Sequence, residues 1–531
     1  MNTTADTGPV FAGPRTDLPI PARVDVLIVG SGPNGATYAR VLSEHHPRAR
    51  ILMVEAGPRL TTVPGLHTRN ITDPDELRRT VRGSEGGDST HSAEVGTHLR
   101  QERAGAVPAV GTFFVDRDAA ARNDAGTLPA AAISSNVGGM GRHWACATPN
   151  PHPSELPRFV PPGEWAELLG RGRRLLGSND RPLTDAAHWT ECLRRVSAAF
   201  DASLPADRRS GNMPVARRSA PDGTVLWSGS DTILGTLATE PRETFTIAAE
   251  TLCTALHEDN GRIRAATLRS LVDGSTTTVA ASVVVVAADS LRTPQLLWNS
   301  GIRPPALGRY LGDHLVIAGA FTPEYLDAPE DVSEIFGPGR SLNNTTGTAS
   351  NGLGTIPFNP VTHPLHSQFG QAAVQHEGRP RPLGVTMFGY MLPKEARFED
   401  RVRFRADKID RYGMPAIEFD YSLTERDRAL ADLATANVVR AADALGASDV
   451  TPVRQPDGMS LHYLGTVRMG AADDGTSVCD SGSRVWGYDN LHVACNGVIP
   501  ADLSCNPTLT SVAMSVRGAV AAAAALEAAM A

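Results

Sequence analysis

Lysine is almost missing from this 531-residue chain: Lys394 and Lys408 stand alone among 50 basic residues, the rest being arginine. The skew reads as codon bias, and the arginines form no block or stripe. With a formal net charge of −8, the chain lacks the electrostatic footprint of a nucleic-acid binder. No stretch approaches the roughly 20 consecutive apolar residues that a spanning helix needs. The alanine-rich tail from Ala519 to Ala531 is short, weakly apolar and carries Glu527, so no membrane partner is expected. The six cysteines, at 146, 192, 253, 479, 495 and 505, form no CxxC pair. That argues against a structural metal and for a reducing compartment. Residues 1–18 show no basic stretch followed by an apolar one. A loose arm and a cytoplasmic location are expected, not the general secretory route.

What is present is organised around one stretch. The β-branched run at residues 24–29 feeds into Gly30-Ser31-Gly32-Pro33-Asn34-Gly35, and residues 36–44 read as a helix. The first glycine permits a tight turn, the second lets backbone N–H groups approach a pyrophosphate, and the third lets helix and strand pack closely. The positive end of the helix favours the phosphate charge. A second strand at 50–54 ends at Glu55, twenty residues beyond Gly35. A carboxylate there accepts both ribose hydroxyls and repels a 2′-phosphate.

The rest of the chain reads as a discontinuous α/β architecture. Residues 59–125 read as long loops with one helix near 75–82. The stretch Gly138-Gly139-Met140-Gly141-Arg142-His143-Trp144-Ala145-Cys146 offers a backbone able to press against a flat ligand and present an imidazole to it. Residues 161–200 are helical and polar. Short β-like runs at 244–248, 251–256, 262–268 and 276–280 precede a continuously apolar run at 282–288, as expected of a parallel strand covered on both faces. A helix at 293–299 follows. Strands at 385–391, 402–405 and 416–421 and a helix at 423–445 suggest a sheet-plus-helix lobe facing the substrate. The unpatterned stretch 343–369 reads as a lid loop. A short strand at 491–495 precedes Pro507 and the last helix, 509–530. His492, on that short apolar strand, reads as a packing histidine.

In sequence order, these blocks resemble the glucose–methanol–choline (GMC) oxidoreductase family, most nearly its pyranose oxidases and bacterial glycoside 3-oxidases. The blocks are 30–55, 138–149, 283–297 with Ser300-Gly301-Ile302, Gly312-Asp313-His314, Tyr412-Gly413-Met414-Pro415, 462–470 and Asn506-Pro507-Thr508. The resemblance implies a Rossmann-like FAD-binding domain of GMC type, assembled from residues 21–160, 225–320 and 456–531 behind a flexible arm at 1–20. It also implies a discontinuous substrate-binding lobe of antiparallel sheet plus helices, from 161–224 and 321–455.

The activity so implied is hydride transfer from a secondary sugar carbinol, at C2 or C3 of a pyranose or glycoside, to flavin N5. Oxygen or a quinone would take the electrons. His462 falls at the catalytic base and Asn506 at its partner. Chemistry supports that division: imidazole suits proton acceptance at neutral pH, whereas an amide orients a hydroxyl but cannot serve as the base. FAD contacts are implied at Gly30, Gly32, Gly35, Glu55, Gly138, Gly139, Met140, His143, Trp144, Ala145, Cys146, Ala288, Asn506 and Thr508. His143 falls where fungal relatives tether the flavin covalently, and both tethered and free FAD stay open. Gly141-Arg142 replaces the family's Ser-Thr and Ala145 its Thr, which removes a hydroxyl near flavin N5 and adds a cation without an evident partner. Two alternatives remain: a GMC-type dehydrogenase of another alcohol with a quinone acceptor, and a non-catalytic flavin-fold binding protein.

Overall fold

The computed structural model describes residues 20–81, 83–84, 111–115, 126–181, 186–220, 224–326, 352–374, 383–447, 450–500 and 502–530. The expected arm at 1–20 lies outside the described residues apart from Ile20, and so does the 343–351 part of the expected lid.

The β-branched runs settle into one seven-stranded sheet. Its order is Thr251–Glu258, Ile263–Ser270, Thr276–Val286, Arg23–Val29, Ile51–Val54 and Phe245–Ala248, with Leu491–Val493 also pairing to Thr276–Val286. Arg23–Val29 runs parallel to both neighbours, Val26 lying opposite Val283 on one side and Ile51 on the other. Val283 to Val286 are fully buried, each contributing about 1.5–3 kcal/mol of apolar burial. The sequence separates 276–280 from 282–288, but the structure makes them one strand. Its first half pairs antiparallel with Ile263–Ser270 and its second half parallel with Leu491–Val493, so one edge changes partner midway. The following helix starts earlier than expected, at Asp289, and carries Pro294 inside it.

Two helices cover this sheet closely. Pro33–His45 follows the first strand, and Thr508–Met530 closes the chain. The closing helix corrects the expectation about long apolar segments. It is 23 residues long and apolar enough to cross a membrane by length and composition, yet 72% of its apolar window is buried inside the protein. Alanine and small residues make it a packing helix: a Cβ at Gly518 would lie 2.0 Å from the Tyr38 hydroxyl, and one at Gly172 would lie 3.2 Å from Leu509. The helix Pro162–Leu176 thereby sets Trp165, Leu168 and Leu169 into the same core.

A second core lies beneath a six-stranded antiparallel sheet ordered Val453–Arg454, Leu315–Phe321, Leu383–Leu392, His366–Val374, Leu353–Ile356 and Gly211–Asn212. Here the expected lid is partly corrected, because Leu353–Ile356 and His366–Val374 are paired strands. Helices Ala187–Phe200 and Glu425–Ala444 pack on this sheet through Trp189, Val196, Phe200, Val438 and Ala441. Thr424 starts the second helix with a reciprocal cap: its hydroxyl accepts the Asp427 N–H at 3.2 Å, and Asp427 accepts the Thr424 N–H at 2.9 Å.

Candidate active site

The dinucleotide turn lies at the carboxyl ends of the parallel strands, where open α/β sheets bind ligands. Gly30 has φ +106°, and a Cβ there would lie 2.2 Å from the Ala287 carbonyl oxygen; one at Gly35 would lie 2.1 Å from the Gly30 oxygen. A Cβ at Gly32 meets nothing within 4 Å. The outer glycines are therefore demanded by the protein, while the middle one faces open space. The helix behind them begins without a side-chain cap, leaving its N-terminal N–H groups for an anion. Ala288 lies beside Gly30, and its N–H donates to the Thr293 hydroxyl at 3.1 Å.

Glu55 is buried at the end of its strand. Its Oε2 accepts the Ser31 hydroxyl at 2.7 Å and the Ser31 N–H at 3.2 Å, and its Oε1 accepts the Gly57 N–H at 3.0 Å. Burial raises this carboxyl above its ordinary range, against the Gly57 and Ser31 bonds that favour the anion. The Ser31 hydroxyl also accepts the Gly138 N–H at 2.9 Å. Ser31, which no local sequence pattern marks, couples the Glu55 carboxylate to the glycine loop.

That loop is a short 3₁₀ turn, Gly139–Arg142, following the strand Ala132–Ser135. A Cβ at Gly139 would lie 3.2 Å from the Gly32 Cα, so the two glycine segments touch. Met140 and Trp144 are half-buried and Ala145 is exposed. The Trp144 indole N–H donates to the Ser228 carbonyl at 2.7 Å. His143 is buried, its Nε2 3.4 Å from the Thr112 hydroxyl. Cys146 is a buried thiol that desolvation pushes up to about 12, away from the thiolate form. Arg142 acquires a partner that the sequence does not reveal. It is fully buried, donates to the Thr61 hydroxyl at 3.2 Å, and is lowered to about 10 by burial against the attraction of Asp231 and Glu76. Its Cγ lies 2.8 Å from where a Gly138 Cβ would be. Arg142 is a strut behind the loop.

His462 and Asn506 arrive from the carboxy-terminal segment. The His462 N–H donates to Asp313 Oδ1 at 2.8 Å, and the Ser460 hydroxyl donates to the same oxygen at 2.5 Å. Burial pushes Asp313 up to about 7. The His314 ring stands at 81° to the His462 ring, with centroids 5.0 Å apart and the two Nδ1 atoms at 2.9 Å. His314 Nε2 reaches the Leu503 carbonyl at 2.7 Å, three residues before Asn506. His314 thus joins the histidine to the asparagine loop. Gln368, from the second sheet, donates to Asn506 Oδ1. Glu155 fastens the loop from behind, accepting the N–H groups of Ser504 at 2.6 Å and His152 at 2.5 Å. Thr508 opens the closing helix. Three non-glycine residues with positive φ border these segments: Cys146 at +58°, Asp289 at +63° and Leu461 at +59°. Such strain persists where surrounding structure over-determines it, often at functional sites. By contrast His492 is buried and lowered to about 4 by desolvation, with Nδ1 3.4 Å from the Gly482 carbonyl, a packing role. Among the described residues no group of three or more His, Cys, Asp or Glu is placed to hold a metal.

These residues fit an adenine dinucleotide flavin. The open side at Gly32, the uncapped helix start and the carboxylate at the strand end suit its nucleotide half, while the glycine loop and His462 segment suit its ring.

Known proteins share this plan. A family model described as GMC oxidoreductase matches residues 232–316, and another so described matches 399–515. The chain is 43% identical over 508 residues to a C-glycoside 3-oxidase of Microbacterium trichothecenolyticum, across 94% of this chain and 96% of that one. It is 30% identical over 536 residues to a pyranose 2-oxidase of Tricholoma matsutake, across 93% of each. Among solved structures, pyridoxine 4-oxidase from Mesorbium loti has a TM-score of 0.62 at 17% identity, covering 94% of this chain and 98% of that one.

Proposed function

Because this chain belongs to the GMC oxidoreductase family, whose members depend on FAD, we propose that it oxidises a secondary hydroxyl of a glycoside to a ketone, at C3. The observation that carries this reading is the joining of His462 to the Asn506 loop through His314, on a sheet built to grip a dinucleotide. The names of the relatives favour a C-glycoside and C3; a free pyranose oxidised at C2 is the second reading, favoured by the pyranose 2-oxidase relative. Those relatives are named oxidases, which supports oxygen as the electron acceptor over a quinone.

FAD, when bound, supplies the hydride acceptor. The chain's own task is to seat the sugar and manage its hydroxyl proton. Removing a hydride from a carbinol is easier as its hydroxyl proton leaves, and His462 is the base within this cluster. Since Gln368 takes Oδ1 of Asn506, the Asn506 amide N–H is left to donate to the substrate oxygen. The six cysteines are buried free thiols, which supports a reducing, cytoplasmic compartment.

His143 is the candidate for a covalent flavin link, and we favour FAD held without one. The Thr112 hydroxyl gives its hydrogen to the Ser84 carbonyl at 3.0 Å, so it faces His143 Nε2 as an acceptor and favours a hydrogen there. A link through Nε2 would need the lone pair that this hydrogen occupies.

The test of the activity is anaerobic bleaching of the bound flavin by a panel of C-glycosides and free pyranoses, with the keto carbon identified. Bleaching by neither class would remove this reading.

A further inference from the structure

Two histidines in hydrogen-bond contact must settle which carries the shared hydrogen, and here a third group decides. A carbonyl oxygen only accepts, so the 2.7 Å contact to Leu503 requires a hydrogen on His314 Nε2. His314 is buried, and desolvation lowers it to about 4, so near neutral pH the ring holds one hydrogen. Its Nδ1 is then a bare lone pair. The 2.9 Å Nδ1 to Nδ1 contact still needs one hydrogen, and only His462 can supply it.

Resting on the function proposed above, we infer that His314 is a positioning residue. It locks the neutral His462 ring in its Nδ1–H tautomer and so leaves Nε2 as the base for the substrate hydroxyl. Without such a partner a neutral imidazole distributes between two tautomers, only one of which has its lone pair at the reacting side. The adjacent residue completes the grip. Asp313 holds the His462 backbone N–H while His314 holds the ring, so one turn fixes both main chain and imidazole. Leu461, at φ +59°, delivers His462 to that turn.

The proton balance closes. As the substrate O–H bond breaks, its proton forms the Nε2–H bond of His462. The carbinol C–H pair leaves as hydride, which FAD would accept when bound, and the C=O double bond forms. His462 is then an imidazolium with both nitrogens protonated, and its Nδ1–H continues to donate to His314. The buried site disfavours a second hydrogen on His314, so the positive charge stays on the ring that faces the substrate.

The direct test is ¹⁵N NMR of histidine-labelled oxidised holoenzyme, with the His462→Ala spectrum used to assign the His462 signals. The expected result is a protonated Nδ1 and a bare Nε2; the reverse tautomer, or a mixture, overturns the inference. In stopped-flow work, His314→Leu should slow anaerobic flavin reduction by about 10²-fold while substrate Kd stays within about threefold. His314→Asn keeps an acceptor near the Nδ1 position and should recover about tenfold or more of that loss. Equal losses in the two variants would also overturn it. If the leucine variant fails to fold, the wild-type tautomer decides alone. If wild-type flavin is bleached by no sugar or glycoside, the proposed function fails while the resting tautomer still stands or falls independently.

Discussion

Gln368 donates its side-chain N–H to Oδ1 of Asn506, tying a strand of the second sheet to the loop before the closing helix. The bond occupies the amide oxygen of Asn506, and in the proposed mechanism it leaves the amide N–H for the substrate. Gln368→Glu removes the donor and places a carboxylate beside the amide oxygen. The expected outcome is a fall in kcat/KM of about tenfold or more, with flavin content unchanged. A variant with wild-type kcat/KM would show that Asn506 orients itself.

The three glycines of the dinucleotide turn should separate folding from binding. Gly35→Ala forces a Cβ to 2.1 Å from backbone oxygen and is expected to yield little folded protein. Gly32→Ala meets nothing in the protein. It should fold with a near-wild-type circular dichroism spectrum but carry FAD weakly, since the methyl group intrudes where the pyrophosphate must approach. Equal FAD content in Gly32→Ala and wild type would contradict the placement of the nucleotide.

His462→Ala should lower the rate of anaerobic flavin reduction by about 10²-fold or more while FAD stays bound. Unchanged reduction would take His462 out of the mechanism.

Acid precipitation reads the state of His143. Dissociable FAD leaves a yellow supernatant, the outcome expected from the hydrogen-bonding of Thr112. A yellow pellet would show a covalent bond.

The parts legible in the sequence are those fixed by local geometry. Gly35 is forced by its approach to the Gly30 carbonyl within one strand–turn–helix unit, and the apolar run ending at Val286 reads as buried because both its faces are covered. Other features depend on residues far apart in the chain. Ser31 earns its role by meeting both Glu55 and Gly138, Gln368 by meeting Asn506, and Arg142 by finding Thr61 inside the fold. No local pattern announces such meetings. The strands at 353–356 and 366–374 were hidden for a related reason. Their glycines and polar residues blur the period-two signal, and cross-strand partners supply what local propensity lacks. The closing helix escapes a reading of the tail alone because that tail is too short to span a membrane, while the whole 23-residue helix is long and apolar enough. His314 was visible only as part of a family-like block, and its contact with His462 gives it a chemical role.

The measurement that reaches furthest mixes the oxidised enzyme anaerobically with a C-glycoside, follows the flavin absorbance and identifies the product. The expected result is loss of yellow colour, one ketone at C3 of the sugar, and peroxide when air is admitted. A flavin that stays oxidised with every glycoside and pyranose offered, while His462 and Asn506 are intact, would contradict it.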